Sequence, residues 1–432
     1  MSYQKQIEEI SNYFRSGEKH SGELKLGLEF EHFVIYKDSL KTVSYYGENG
    51  VAETLKEMKK SGWEATYEGD NILGLDKGNK SITLEPGSQL ELSLKEESKI
   101  NDIEREYLEF LNEIIPILES KGQGLMAVGY HPETKINDIK ILPKKRYDFM
   151  FNYLKKTGTH AHNMMKGTSA LQVSIDFIDE DDYKKKYRVI NALSPVMYAL
   201  FDNARYFEGE TREKHAIRAF IWENTDKDRS GIVEGALTDD FGYDKYAEFI
   251  LNNPPILEIK NGVASSTGDK KVRDLFDPEN YEIKELEHFL TMFFPDVRTK
   301  KFMEIRMMDA VPYPLNFAAV AMLKGVLYND ENLDKVYQYI KNITVEDVNI
   351  AKQEMMDKGL SAHLKSKSIL EIGKWLVELA KTGLAEDEVQ YIYPLENMLS
   401  EGKNPFMITK EREINGKKEA LDWCLLNNVI KR

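Results

Sequence analysis

Carboxylates spaced two apart, set opposite rows of aliphatic side chains, recur along this 432-residue chain. In LKLGLEFEHFVIY the residues Glu29 and Glu31 alternate with Leu26, Leu28 and Phe30, and in SITLEPGSQLELS the residues Glu85, Gln89 and Glu91 oppose Ile82, Leu84, Leu90 and Leu92. TSALQVSIDF sets Gln172 and Ser174 against Leu171, Val173 and Ile175, and KFMEIRMMD sets Glu304 and Arg306 against Met303, Ile305 and Met307. Successive side chains of an extended chain point to opposite faces, so each segment reads as a strand with one buried and one polar side. A single such strand is what any antiparallel sheet with a wetted face shows. Repetition of the acids raises a second possibility, because carboxylates that converge on one surface repel one another and need cations. Magnesium suits that need, taking hard oxygen ligands and sharing its coordination sphere with nucleotide phosphates. At about 3.3 Å per residue Glu29 and Glu31 lie roughly 7 Å apart and can flank neighbouring ions. Glu85 and Glu91 would be about 20 Å apart on a straight strand. Pro86-Gly87 interrupts it, so a bent strand is expected to place these two acids at opposite ends of an elongated site.

Other metal motifs are weaker. DKDRSG places Asp226, Asp228, Ser230 and Gly231 like the opening of an EF-hand loop, but Leu237 stands where the twelfth-position glutamate is required. His160 and His162 lack a third ligand at a suitable spacing. No Walker sequence, dinucleotide fingerprint, nucleophile elbow or zinc-protease helix is present.

The elements that must position the acids alternate between strands and helices. The strand Leu24–Tyr36 is followed by a helical segment, GVAETLKEMKKSG. NILGLDK and KSITLEPG then flank Gly78-Asn79 as a hairpin. Ile103–Ser120 has helical periodicity, GLMAVGYHP reads as a short strand, and beyond Pro314 the pattern is helical throughout. No repeat or long linker divides the chain. One α+β body is expected: an antiparallel-sheet catalytic part over 1–313 and a helical C-terminal cap over 314–432 packed on it.

A formal net charge of -14 without a basic, aromatic-rich run argues against nucleic acid as a partner. MSYQKQIEEI lacks the apolar core of a signal peptide, and no window of eighteen apolar residues follows. A cytoplasmic protein without membrane partners is expected. The single cysteine, Cys424, forms no internal disulfide and is read as a buried bystander.

GLEFEHF, ITLEPGSQLELS, MMKGTSALQVSIDF, AIRAFIWENTDKDRSG and FPDVRTKKFMEIRMMD, in that order, resemble the successive signatures of the plant-type glutamate–cysteine ligase family. The resemblance runs from about Leu24 to Asp309. It implies a cupped antiparallel sheet related to that of glutamine synthetase, with ATP and magnesium used to activate the γ-carboxylate of glutamate for attack by the amine of cysteine. It puts metal and nucleotide roles on Glu29, Glu31, Glu85, Glu91 and Glu304, with Glu85 central to catalysis and Arg306 and Arg229 facing phosphate oxygens. It implies an amino-acid pocket of Arg218 and Trp222, with Gln172, Met165 and Lys166 nearby. One position departs from the pattern: Gly167 stands where many members carry arginine. Either Lys166 supplies the charge from next door or one amino-acid pocket differs. Regulatory cysteine pairs of plant members cannot form in a chain with one cysteine. The expected activity is γ-glutamylcysteine synthesis, the first step of glutathione formation. Two rivals stand beside it, a γ-glutamyl ligase for another amine and a catalytically silent metal- or metabolite-binding relative.

Overall fold

The computed structural model describes residues 2–20, 23–260 and 263–431. Its centre is β1, Leu26–Tyr36, in which Leu26, Leu28 and Phe30 are buried while Gly27, Glu29 and Glu31 are half-buried, as the two-residue period requires. Next come β2 (Glu64–Glu68), β3 (Asn71–Lys77) and β4 (Lys80–Leu84). The β3–β4 hairpin pairs Lys77 with Lys80 around Gly78, whose φ of 61° lies in the left-handed region. β5 (Leu90–Glu97), β6 (Gln123–Met126), β7 (Leu171–Ile175), β8 (Val297–Thr299) and β9 (Met303–Ile305) complete an antiparallel sheet. The strand order is β8-β9-β7-β1-β5-β4-β3-β2, and β6 pairs with the far end of β1.

SITLEPGSQLELS is not one bent strand. β4 ends at Leu84 and β5 begins at Leu90, with Leu84 opposite Leu90 and Thr83 opposite Glu91. The turn is closed by the Glu85 amide donating to the Gln89 carbonyl at 2.9 Å and the Ser88 amide donating to the Glu85 carbonyl at 2.8 Å. Glu85 and Glu91 therefore stand at the same end of the sheet, not at opposite ends of a long site. Gly87 lets the turn dock closely on the neighbouring segment, because a Cβ on it would come 2.5 Å from the Lys166 carbonyl oxygen.

The apolar face of the sheet is covered by the helix Ile100–Ser120, which buries Ile103, Tyr107, Phe110 and Leu111. That helix starts three residues before the Ile103 expected from periodicity. Its Ile100 amide donates to the Glu388 carboxylate at 2.8 Å, and the Lys324 ammonium bonds the same carboxylate oxygen at 2.7 Å, so partners from the C-terminal part hold its first turn. Beyond Pro314 the chain is helical apart from the small hairpin His363–Leu364 with Lys367–Ser368. The helix Leu315–Leu327 inserts Phe317 between sheet and covering helix, with ring centroids 5.8 Å from Phe30 and 5.6 Å from Tyr107. Phe317→Ala is expected to lower stability by about 3–5 kcal/mol, seen as a reduced denaturation midpoint, because it empties a site shared by three elements.

Candidate active site

The polar face of the sheet opens into a cleft of about 270 Å³ that gathers Glu29, Glu31, Glu85 and Glu91 with Gln172, Arg218 and Trp222. Strand pairing sets this up: Glu31 lies opposite Glu91 on β5, and Glu29 opposite Gln172 on β7. Glu31 is fixed by two donors, the Ala170 amide at 2.8 Å and the Gln172 side-chain amide at 3.0 Å. Glu91 accepts from the Thr83 hydroxyl at 2.7 Å. Glu85 sits in the hairpin turn, with the Tyr147 hydroxyl 3.3 Å away. The turn is docked by Gln89, which donates to the carbonyls of Met165 at 3.2 Å and Thr168 at 2.9 Å and accepts from the Gly87 amide. Met165 thereby reaches the cleft wall.

Arg218 belongs to the short helix Ile217–Glu223. Its Nε and Nη2 donate to the Arg306 carbonyl at 3.1 and 2.9 Å, while Nη1 is buried with no partner. The Trp222 ring lies 5.7 Å from the Arg218 guanidinium and 5.9 Å from that of Arg306. Arg306 lines the cleft, bonds Gln172, and lies 3.3 Å from Glu304.

Three expected residues have other surroundings. Glu304 is fully buried and is not a free metal ligand. Arg298 holds it through Nε and through Nη2 at 2.9 Å, and Lys300 and Arg306 crowd the same carboxylate. It anchors arginines. Arg229 does not enter the cleft, being fully buried where it bonds Asp226 at 2.6 Å and the Pro254 carbonyl under the Tyr153 ring. The EF-hand-like segment is thus an internal ion pair followed by Ser230–Gly231 pairing with Phe294–Pro295. Lys166 donates to the carbonyls of Ile136 and Ile139, the latter at 3.1 Å, and so braces a loop away from the cleft lining. Gly167 has a steric reason: a Cβ there would stand 2.6 Å from the Tyr130 ring, and the Tyr130 hydroxyl is fixed by Glu208 at 2.5 Å and Asn163 at 2.8 Å. His162 stacks on Phe151 at 3.8 Å, and Cys424 is buried beside Asn203.

Lys144, Arg146, Tyr147 and Arg298 also line the cleft, and periodicity did not single them out. The available signal was chemical: KKRYD concentrates cations at the start of the helix Lys145–Leu154 in an otherwise acidic chain, and Arg298 shares β8 with two buried neighbours.

The carboxylates are under-neutralised. Withdrawal from water, and then Glu85, push Glu31 up to about 8, against the opposing pull of Arg218 and Arg306. Glu29 is raised by desolvation and by Glu304, and Glu91 is raised well above the usual range by desolvation and then by Glu29 and Glu85. Glu304 shows the opposite: burial opposes its ionisation, but Arg298, Lys300 and Arg306 hold it far below the usual range. Among the described residues no three His, Cys, Asp or Glu side chains converge closely enough to hold a metal ion. Magnesium does not need such a cage, since it is commonly held by one or two carboxylates with waters and phosphate. The donor set therefore fits it. A carboxyl whose folded pKa exceeds its unfolded one stabilises the fold at low pH and loses that contribution as pH rises. For Glu31, without divalent cation, the thermal midpoint is expected to fall between about pH 5 and pH 8, with Glu31→Gln flattening part of the slope. Added magnesium should raise the midpoint more at the alkaline end. A Glu31→Gln profile parallel to wild type would contradict this assignment.

Residues 25–420 match the model of glutamate–cysteine ligase family 2. The chain is 31% identical over 409 residues to a chloroplastic glutamate–cysteine ligase of Arabidopsis thaliana, covering 92% of this chain and 78% of that one. It is 29% identical over 408 residues to glutamate–cysteine ligase B, chloroplastic, of Oryza sativa subsp. japonica, covering 92% and 82%. The structure of a glutamate–cysteine ligase from Francisella tularensis in complex with AMP superposes with a TM-score of 0.56 at 12% identity, over 94% of this chain and 88% of that one. That likeness is one of fold. The plant relatives are designated chloroplastic and so give no support to the cytoplasmic location expected from the N-terminal residues. Among the described residues no helix is long and apolar enough to cross a membrane. The acidic strands, the Arg218–Trp222 helix and a family match across nearly the whole length lead to one conclusion: this chain is a ligase of glutamate–cysteine ligase family 2.

Proposed function

We propose that the cleft joins the γ-carboxylate of glutamate to the amine of cysteine at the expense of ATP, with magnesium bound at the acidic face. The observation that carries this reading is the meeting, in one cleft, of Glu85 and the under-neutralised Glu29, Glu31 and Glu91 with the unpartnered Nη1 of Arg218 beside Trp222. Arg218 would pair with the glutamate α-carboxylate while the indole of Trp222 and Met165 wall the aliphatic part. The family's name and the fold shared with a ligase solved with AMP agree with these substrates.

In the first step a γ-carboxylate oxygen of glutamate bonds to the terminal phosphorus as its bond to the bridging oxygen breaks, and ADP leaves with the electron pair. In the second the cysteine nitrogen bonds to the activated carbonyl carbon, the carbon–oxygen bond breaks, phosphate leaves and the amine proton is released. Magnesium, taken by one or two of the carboxylates Glu29, Glu31, Glu85 and Glu91 at a time, would neutralise charge on the phosphate oxygens. The chain's own part is placement. Glu85, carried on the tightly bonded hairpin turn, borders the reacting region, and Arg306 presents its guanidinium to developing charge.

Incubation with magnesium, ATP, glutamate and a panel of amines, followed by product mass, tests the reading. γ-Glutamylcysteine with stoichiometric ADP is expected, and a preference for another amine would overturn the choice of acceptor. Arg218→Ala should raise the glutamate KM by about 30-fold or more, because truncating one side of a desolvated charge pair typically costs 2–5 kcal/mol, with the ATP KM changed by less than about threefold. A loss confined to ATP would remove Arg218 from the amino-acid pocket.

A further inference from the structure

We propose that Asp202, which does not line the cleft, is a positioning residue for its amino-acid end: it fixes the start of the helix that carries Arg218 and Trp222, a role that rests on the ligase reading above. The residue that opens this helix, Ala216, has no polar side chain to cap it and lies in the left-handed region at a φ of 50°. An alanine holds that conformation only where its surroundings impose it. Asp202 supplies the constraint. Its Oδ2 accepts the Ala216 amide at 2.9 Å in the interior, and the His215 ring nitrogen Nδ1 stands 3.4 Å from the same oxygen. Asp202 is itself tied down, since its carbonyl accepts the Phe406 amide at 2.8 Å and the Phe406 ring packs 4.3 Å from that of His215.

These contacts close into a ring. From Arg306, whose carbonyl takes Nε and Nη2 of Arg218, the chain runs on to Asp309, and Asp309 Oδ2 accepts the Asn203 amide at 2.8 Å. Asn203 adjoins Asp202, Asp202 holds Ala216, and Ala216 leads through Ile217 back to Arg218. The guanidinium is located from two sides, by the carbonyl it donates to and by the backbone that bears it, and Nη1 is left as its unpartnered nitrogen. Packing alone does not account for the two acids. Asp202 and Asp309 are both buried, and each keeps Oδ1 without a partner. Burial, and then Asp202, push Asp309 up to about 7, with Arg218 pulling the other way. Such a pair weakens the fold taken by itself. What it gives is position, and an error of about 1 Å in a binding group can cost about 100-fold.

The test compares steady-state kinetics and thermal midpoints of wild type, Asp202→Ala, Asp202→Asn and the double variant Asp202→Ala with Ala216→Gly. Asp202→Ala should raise the glutamate KM by about tenfold or more, the scale of one lost hydrogen bond to a buried charged acceptor, with kcat and the ATP KM moved by less than about threefold. Asp202→Asn keeps an oxygen for the Ala216 amide and should stay within about threefold of wild type. Ala216→Gly should recover part of the loss in Asp202→Ala, because glycine holds the left-handed conformation without outside help. A wild-type glutamate KM in Asp202→Ala, whatever its thermal midpoint, would overturn the assignment. So would a loss shared equally with ATP, or one that Ala216→Gly does not lessen. If Asp202→Ala does not fold alone, the double variant is read against Ala216→Gly, with a rise of about threefold in the glutamate KM expected and no rise counting against the role. A wild type that forms no ADP with glutamate and cysteine would defeat the ligase reading and the positioning role with it, whereas an active wild type with an unmoved Asp202→Ala defeats the role alone.

Discussion

Carboxylates held away from water on one face of a sheet must be neutralised, and the arrangement of this molecule follows from where that is done internally and where it is not. At β9 it is done internally: Glu304 is enclosed by Arg298, Lys300 and Arg306 and stays ionised. Such a cluster is rigid because removing one member would leave the others buried and uncompensated. Across β7, at Glu29, Glu31 and Glu91, internal neutralisation stops, and the acids are pushed toward the protonated form. A surface of this kind is poised for cations from outside, whether metal ions or the charged end of a substrate.

The helical C-terminal part bears on the same balance. Asp296 accepts from the Tyr198 hydroxyl at 2.8 Å and from the Lys352 ammonium at 2.6 Å, so the helix Val345–Lys358 reaches β8 through a buried ion pair. The Asp296 carbonyl accepts the Arg306 amide at 3.1 Å, and the Arg306 carbonyl accepts two donors from Arg218. A continuous set of bonds therefore runs from the C-terminal helices through two main-chain carbonyls to the Arg218 guanidinium in the cleft. With Phe317 and the Glu388 contact, it gives the C-terminal part a positioning role as well as a packing one.

Gly167 illustrates how a local departure can be reconciled with an intact site. The space that a side chain there would need is filled by Tyr130, which is itself held by Glu208 and Asn163. Lys166 does not compensate, since its ammonium is committed to two carbonyls of the loop Ile136–Ile139. In the cleft itself, Arg218 keeps one buried guanidinium nitrogen without a partner.

The two-residue period by itself determined which side chains of β1, β5, β7 and β9 share a polar face, because alternation is a local property of extended backbone. It marked Glu29, Glu31, Glu91 and Gln172 as cleft residues, and the helical period marked the covering helix and the C-terminal part. The fold class was legible at that level. Tertiary structure alone decided partnership: that Pro86–Ser88 reverses the chain and brings Glu85 beside Glu91, that Glu304 and Arg229 spend their charge on Arg298 and Asp226, and that Arg146 lines the cleft with its Nη2 on the Thr291 hydroxyl. The physical reason is range. A side chain's direction is set by its own φ and ψ, whereas its charge is neutralised by whatever long-range packing brings within a few ångströms, and residues 226 and 146 carry no local sign of which outcome awaits them.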